Sequence, residues 1–210
     1  MPGASDTLRD FQDCVIDDRY YLGQVLGTGS YGVVYQAVDL HDRTDLQAFH
    51  RAIKIVSKVD RKPSELEAVR REVALHSMVS GHPNIVPIYD AVEDEEHFYI
   101  VLGLCEGGDL YDQICEKEVY ANDDNRLRKA FLSLVEAVQA CHRARIFHRD
   151  LKPENILTNE DATQVYLADF GLATEKTIVN EHGCGTEYYM SPGESRSPCC
   201  LCTSWYELTG

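Results

Sequence analysis

The chain has 210 residues, 44% of them hydrophobic, and a formal net charge of −15. That is enough length for one large domain or two small ones, and enough apolar content for a core. The charge argues against nucleic-acid binding along a phosphate backbone and suits basic proteins or peptides, although an acidic surface also simply serves solubility. The longest apolar run, Phe98 to Cys105, is of strand length, so no membrane partner is expected.

In chain order, residues 1–17 read as a flexible acidic lead-in, with Asp6, Asp10, Asp13 and Asp17 and no apolar core of a signal peptide. Its absence points to a cytoplasmic and/or nuclear protein, in which the eight cysteines are expected as thiols. Tyr20 to Leu26 and Val33 to Val38 predict two strands around a glycine turn, and Ala52 to Val56 a third. Pro63-Ser64-Glu65-Leu66-Glu67 predicts a helix start, with Ser64 as N-cap and Glu67 completing a capping box. Leu66, Val69, Val73 and His76 continue that helix until Gly81 and Pro83 end it. Ile85 to Val92 and His97 to Leu102 predict strands around an acidic turn. From Asp109 the pattern turns helical, and Leu127, Phe131, Leu134, Val135 and Val138 form an apolar face. Ile156-Leu157 and Val165 to Ala168 predict short strands. Cys199, Cys200 and Cys202 cluster near the end without the partners a metal site needs. An antiparallel sheet with one helix, then a mainly helical part, predicts a two-lobed α+β architecture.

Three stretches carry chemistry. Leu26-Gly27-Thr28-Gly29-Ser30-Tyr31-Gly32-Val33-Val34 lets backbone N–H groups approach phosphates, and the β-branched residues after its last glycine favour a strand over the helix of a dinucleotide fold. Lys54, within Arg51-Ala52-Ile53-Lys54, sits among apolar strand residues and needs a carboxylate partner on the following helix. Glu72 is the expected one, since Glu65 and Glu67 lie in the first turn, where they serve the dipole and cap. In His148-Arg149-Asp150-Leu151-Lys152-Pro153-Glu154-Asn155, Asp150 can accept a proton from an attacking hydroxyl. Asn155 and Asp169, the latter in Asp169-Phe170-Gly171, offer hard oxygen ligands to magnesium.

These motifs resemble the catalytic and magnesium loops of eukaryotic protein kinases, serine/threonine type, with a weaker resemblance to fungal nutrient- and meiosis-regulating kinases. The resemblance implies ATP and Mg2+ as cofactors, and protein substrates with basic residues near the phosphoacceptor. It implies an N-lobe over 18–102 and a partial C-lobe over 103–192. Lys54 would hold the α- and β-phosphates, paired with Glu72. Leu102 would be the gatekeeper, and backbone groups of Gly103 and Cys105 would bind adenine, with Ala52 and Leu157 also lining the nucleotide site. Asp109 would contact ribose or a substrate arginine, and Glu154 a substrate arginine. Asp150 would be the base, and Lys152 would neutralise charge on the γ-phosphoryl group. His148, Phe170, Ile88 and His76 would be packing members of a regulatory spine, in which His76 is a polar choice. Arg149 would meet an activation-loop phosphate, but the usual position falls on His182, so Glu181, Thr174 or Thr177 would supply charge instead. After Pro192 the resemblance stops, and 193–210 reads as a tail foreign to the family. Gly193-Glu194-Ser195 can be encoded with a splice-donor string, so this tail is expected to be intron read-through, with a genuine short isoform as the alternative. The family's later helices are then missing. The chain alone is expected to be poorly soluble or partly molten, to bind ATP weakly and to show negligible kinase activity, the competing reading being an inactive nucleotide-binding or scaffold fragment.

Overall fold

The computed structural model describes residues 10–29, 32–41, 50–176, 178–179, 185–190 and 200–201. Ser30, Tyr31, Thr177, Glu181, His182, Cys199, Cys202 and the tail readings on 193–199 and 202–210 lie outside these. The chain forms two units. One is built from Met1–Val73 and Pro87–Cys105, the other from Ala74–Val86 and Glu106–Gly210. The division differs from a single cut after residue 102, because Ile85 and Val86 pair with Leu167 rather than extending the strand that follows, Ile88–Glu93.

The first unit is a six-stranded antiparallel sheet in the order β1-β2-β3-β4-β6-β5. Its strands are β1 (Val15–Ile16), β2 (Tyr20–Gly29), β3 (Gly32–Asp39), β4 (His50–Ser57), β5 (Ile88–Glu93) and β6 (His97–Gly103). Side chains alternate between the two faces of a strand. Val56, Phe98 and Ile100 therefore meet Val69 of helix α1 (Pro63–Val79) on one face, with Leu66 and Val73 packed alongside. Ile53, Ile55, Tyr99 and Val101 face the other way, with Tyr35, Leu22 and Phe11.

Phe11 corrects the expectation of a flexible lead-in over all of 1–17. Its ring is 5% exposed and meets Tyr35, His97 and Tyr99 edge-on. Val15 and Ile16 then pair with Tyr21 and Tyr20. Charge suggested a solvated segment, but one aromatic side chain and one strand pair are enough to hold it on the sheet. Burying a phenylalanine contributes about 1.5–3 kcal/mol.

Helix α1 starts earlier than Ser64 suggests. The Lys62 backbone N–H donates to Glu65 Oε2 at 2.8 Å, and Glu65 N–H donates back to Lys62 O at 2.9 Å. Lys62 is thus the cap residue, Pro63 takes the first helical position, and Glu65 rather than Glu67 closes the box. Proline decides the register, because its missing N–H costs nothing only in the first turn.

The second unit holds α2 (Leu110–Cys115), α3 (Asp124–Arg143) and the three-stranded sheet β7-β8-β9 (Gly108–Asp109, Ile156–Thr158, Val165–Leu167). A two-stranded pair, β10 (Ile178–Val179) with β11 (Cys200–Leu201), is separate from it. The core contains Leu75, Val79, Ile85, Ala137, Cys141, Ile146, Ile156, Leu167 and Phe170. The buried stripe of α3 is rotated from the predicted one. Ala130, Ala137 and Cys141 face inward with Leu134 and Val138 beside them, while Leu127 and Phe131 are 48% and 63% exposed. Small residues allow the helix to approach β9 closely, so the larger apolar side chains are not the ones buried.

The described cysteines Cys14, Cys105, Cys115 and Cys141 are free thiols. No helix among the described residues is long and apolar enough to cross a membrane.

Candidate active site

In the first unit, Lys54 of β4 shares the α1-facing side of its strand with Val56. From there Lys54 Nζ donates to Glu72 Oε1 of α1 at 2.7 Å, with both side chains mostly buried. The turn from β2 to β3 brings Gly27, Gly29 and Gly32 against the facing residues Val34, Gly32 and Gly29. The three glycines are not equivalent. A Cβ on Gly27 would meet nothing within 4 Å, whereas one on Gly32 would lie 2.1 Å from the Ile55 carbonyl oxygen. Gly32 is therefore required by packing against β4, independently of any phosphate. Leu102 pairs with Ala52 across β6 and β4. The Gly103 N–H donates to Pro87 O at 2.8 Å, which leaves its carbonyl as the atom with which a purine could pair. Burial pushes the Cys105 thiol up to about 12, so it stays protonated. Arg51, unusual in its motif, is 7% exposed and lies 4.1 Å from the centre of the Tyr89 ring.

In the second unit, the loop before β8 gathers the chemistry around Asp150. Its Oδ2 accepts from Asn155 Nδ2 at 2.8 Å and pairs with Lys152 Nζ at 3.0 Å. Its Oδ1 accepts from the Thr186 N–H at 3.1 Å and the Thr186 hydroxyl at 2.8 Å. Lys152 Nζ also donates to Thr186 Oγ1 at 3.0 Å. Burial would raise the Asp150 pKa, but the bonds from Lys152, Thr186 and Asn155 outweigh it and leave it below the ordinary value. The carboxylate is therefore ionised and aimed at neutral pH. The sequence reading used Thr186 only as a marker for counting; nothing local announces that its hydroxyl reaches Asp150.

Asn155 and Asp169 are brought together by the backbone: Ala168 N–H donates to Asn155 O at 2.9 Å. Asn155 commits its Nδ2 to the Asp150 carbonyl at 2.9 Å as well, so Oδ1 is the atom that could ligate a cation. Asp169 is exposed, with φ at 57° and its Oδ1 accepting from the Gly171 N–H at 3.3 Å. An amide oxygen and a carboxylate on adjoining segments are a fitting donor set for magnesium. Behind them, Phe170 is 1% exposed between two histidines. His76 stacks on it at 4.6 Å and 20°, and His148 meets it at 4.9 Å. His76 is well suited to that place, because its Nε2 also bonds Val86 O at 2.7 Å, a contact leucine could not make. Burial lowers the His148 pKa, with the Ala168 carbonyl bond at 2.9 Å acting the other way.

Of the other residues singled out, Glu154 is exposed, Leu157 pairs with Asp109 across β8 and β7, and Asp109 caps α2 through the Asp112 N–H at 2.9 Å. Thr174 bridges to Phe147. No cluster of three metal-binding His, Cys, Asp or Glu side chains occurs among the described residues.

This geometry agrees with comparison to known proteins. The sequence profile of the family described as "Protein kinase domain" matches residues 20–194. The chain belongs to the protein kinase family. A "Negative regulator of sexual conjugation and meiosis" from Schizosaccharomyces pombe (strain 972 / ATCC 24843) is 43% identical over 180 residues, covering 85% of this chain and 37% of that protein. "Calcium-dependent protein kinase 8" of Oryza sativa subsp. japonica is 37% identical over 191 residues, covering 88% of this chain and 34% of that protein. "Calcium-dependent protein kinase 5" of Plasmodium falciparum (isolate 3D7) is 38% identical over 181 residues, covering 83% of this chain and 29% of that protein. The chain thus spans about a third of the length of the curated relatives it matches.

Proposed function

We propose that this chain carries the nucleotide-binding and catalytic residues of an ATP-dependent kinase acting on serine and threonine hydroxyls of proteins. The observation that carries this reading is the Asp150 carboxylate, ionised and oriented by Lys152, Asn155 and Thr186. Asp150 Oδ would accept the proton of the attacking hydroxyl as it approaches the γ-phosphorus. Lys152 would balance negative charge on the transferred group. Lys54, held by Glu72, would fix the α- and β-phosphates, while backbone N–H groups around Gly27 and Gly29 cover them. Magnesium would be held by Asn155 Oδ1 and Asp169, and supplies charge neutralisation at the phosphate oxygens. The Gly103 carbonyl and the Cys105 backbone would pair with adenine beside Leu102, Ala52 and Leu157, and Asp109 would bond the ribose hydroxyls. Buried His148 and Phe170 keep the support behind Asp169 dry.

The chain's net charge of −15 and the exposed Glu154 support substrates with basic residues near the acceptor. The same charge supports a protein that takes peptides rather than nucleic acid. The test is phosphate transfer from γ-labelled ATP to peptide arrays by the complete protein, with Asp150→Asn as control. Transfer to serine and threonine peptides with upstream arginines, lost in the variant, is the expected result. Nucleotide binding without transfer would replace this reading with that of an inactive nucleotide-binding protein, and a preference for acidic or proline-flanked sites would overturn the substrate class.

A further inference from the structure

Gln113 is a fully buried polar side chain that the proposed chemistry leaves unused. It lies on α2, is 2% exposed, and its Nε2 donates to the Gly107 carbonyl at 2.5 Å. The same carbonyl accepts from Lys117 Nζ at 3.3 Å. On its other side Gly107 is pressed against the chain after β8. Its N–H donates to Thr158 O at 3.0 Å, and a Cβ there would lie 2.1 Å from Asn159 O and 2.3 Å from Thr158 Oγ1. Gly108 follows with φ at 82°, and its carbonyl accepts from Thr158 Oγ1 at 3.3 Å. The next residue is Asp109. The peptide leading into Asp109 is thus clamped between β8 and two side chains that reach back from α2 and the turn after it. A buried amide that spends its donor on one carbonyl two residues before a functional carboxylate is a device for aiming that carboxylate.

We propose that Gln113, assisted by Lys117, is a positioning residue for ribose recognition, acting through Gly107 on Asp109. This rests on the reading of Asp109 as the ribose contact, and the two can fail separately. The clamp leaves one Asp109 oxygen on the α2 cap, through the Asp112 N–H, and holds the other in a fixed direction for the sugar hydroxyls. Replacing Gln113 by Met keeps the length and removes the donor. The backbone then loses its aim without any change to the carboxylate itself.

The experiment is calorimetric titration of the complete protein with ATP and with 2′,3′-dideoxy-ATP, which lacks the hydroxyls. The readout is the ratio of the two dissociation constants, which a loss of general stability does not move. The native protein is expected to prefer ATP, and Asp109→Ala to abolish that preference. Gln113→Met is expected to shrink the ratio by about fivefold, the value of one hydrogen bond. Lys117→Met, at an exposed position, should shift it in the same direction by less, and serves if Gln113→Met does not fold. A ratio unchanged in both variants, with the preference lost in Asp109→Ala, overturns the positioning role alone. A preference that survives Asp109→Ala overturns the ribose contact, and the positioning role with it.

Discussion

Asp150 illustrates how one side chain acquires its chemistry from three neighbouring side chains. A carboxylate this enclosed would resist ionisation, yet Lys152, Asn155 and Thr186 all donate to it and keep its pKa low. Because the folded value lies below the unfolded one, the unfolded chain takes up the proton first as acid is added. Asp150 therefore stabilises the fold above the ordinary carboxylate pKa of about 3.9, and that contribution is lost as pH falls through the lowered folded value. Asp150→Asn keeps the shape and removes the charge. Turnover is expected to fall by about 10² to 10⁴, while ATP affinity stays near that of the native protein, as read from initial rates and titration. A collapse of affinity instead would assign Asp150 to binding. Asp169→Ala is expected to act oppositely. It would remove a proposed magnesium ligand, so the gain in ATP affinity on adding magnesium should largely disappear in the same titration.

Among the elements, the glycine turn between β2 and β3 separates two demands that its motif merges. Gly27 has open space where a Cβ would go, and Gly32 has the Ile55 carbonyl there. Gly27→Ala is therefore expected to leave the melting temperature nearly unchanged, within about 0.5 kcal/mol, and to weaken ATP binding by obstructing the phosphates. Gly32→Ala is expected to destabilise the first unit by about 1–3 kcal/mol through overpacking. Thermal melts and nucleotide titration on the pair distinguish the roles; equal melting of both variants would refute the packing argument. Helix α1 shows the same division between a readable pattern and an unreadable contact. The turn-forming Pro63 and its acidic neighbours announce a start, but only the bond between Lys62 N–H and Glu65 says which carboxylate closes it.

At the scale of the whole molecule, the β6 run from His97 to Val101 is buried on both faces, and each face needs a cover. Helix α1 supplies one, and the segment carrying Phe11 the other. Phe11→Ala is expected to cost about 3–5 kcal/mol, because the aromatic contacts to Tyr35, His97 and Tyr99 leave a cavity when the ring is removed. The measurement is a thermal melt, with limited proteolysis of residues 10–16 as a second probe. An unchanged melt would return this segment to the flexible lead-in its acidity suggests.

The sequence by itself determined the class of this protein, most of its strands and helices in outline, and the pairing of Lys54 with Glu72. Those rest on local spacing: glycines at a turn, alternation along a strand, and charged residues among apolar neighbours whose desolvation demands a partner. It also singled out Asp150, Asn155 and Asp169 as candidates, because phosphoryl chemistry admits few substitutes. The tertiary structure alone decided which groups meet. Thr186 reaches Asp150, Gln113 holds Gly107, His76 bonds Val86 while stacking on Phe170, and Phe11 closes a sheet face. It also decided that small residues, not Leu127 and Phe131, form the inner stripe of α3. The physical reason is common to the contacts of Thr186, His76 and Phe11. A hydrogen bond or a packed ring depends on a distance between segments remote in sequence, and no periodicity within either segment encodes that distance.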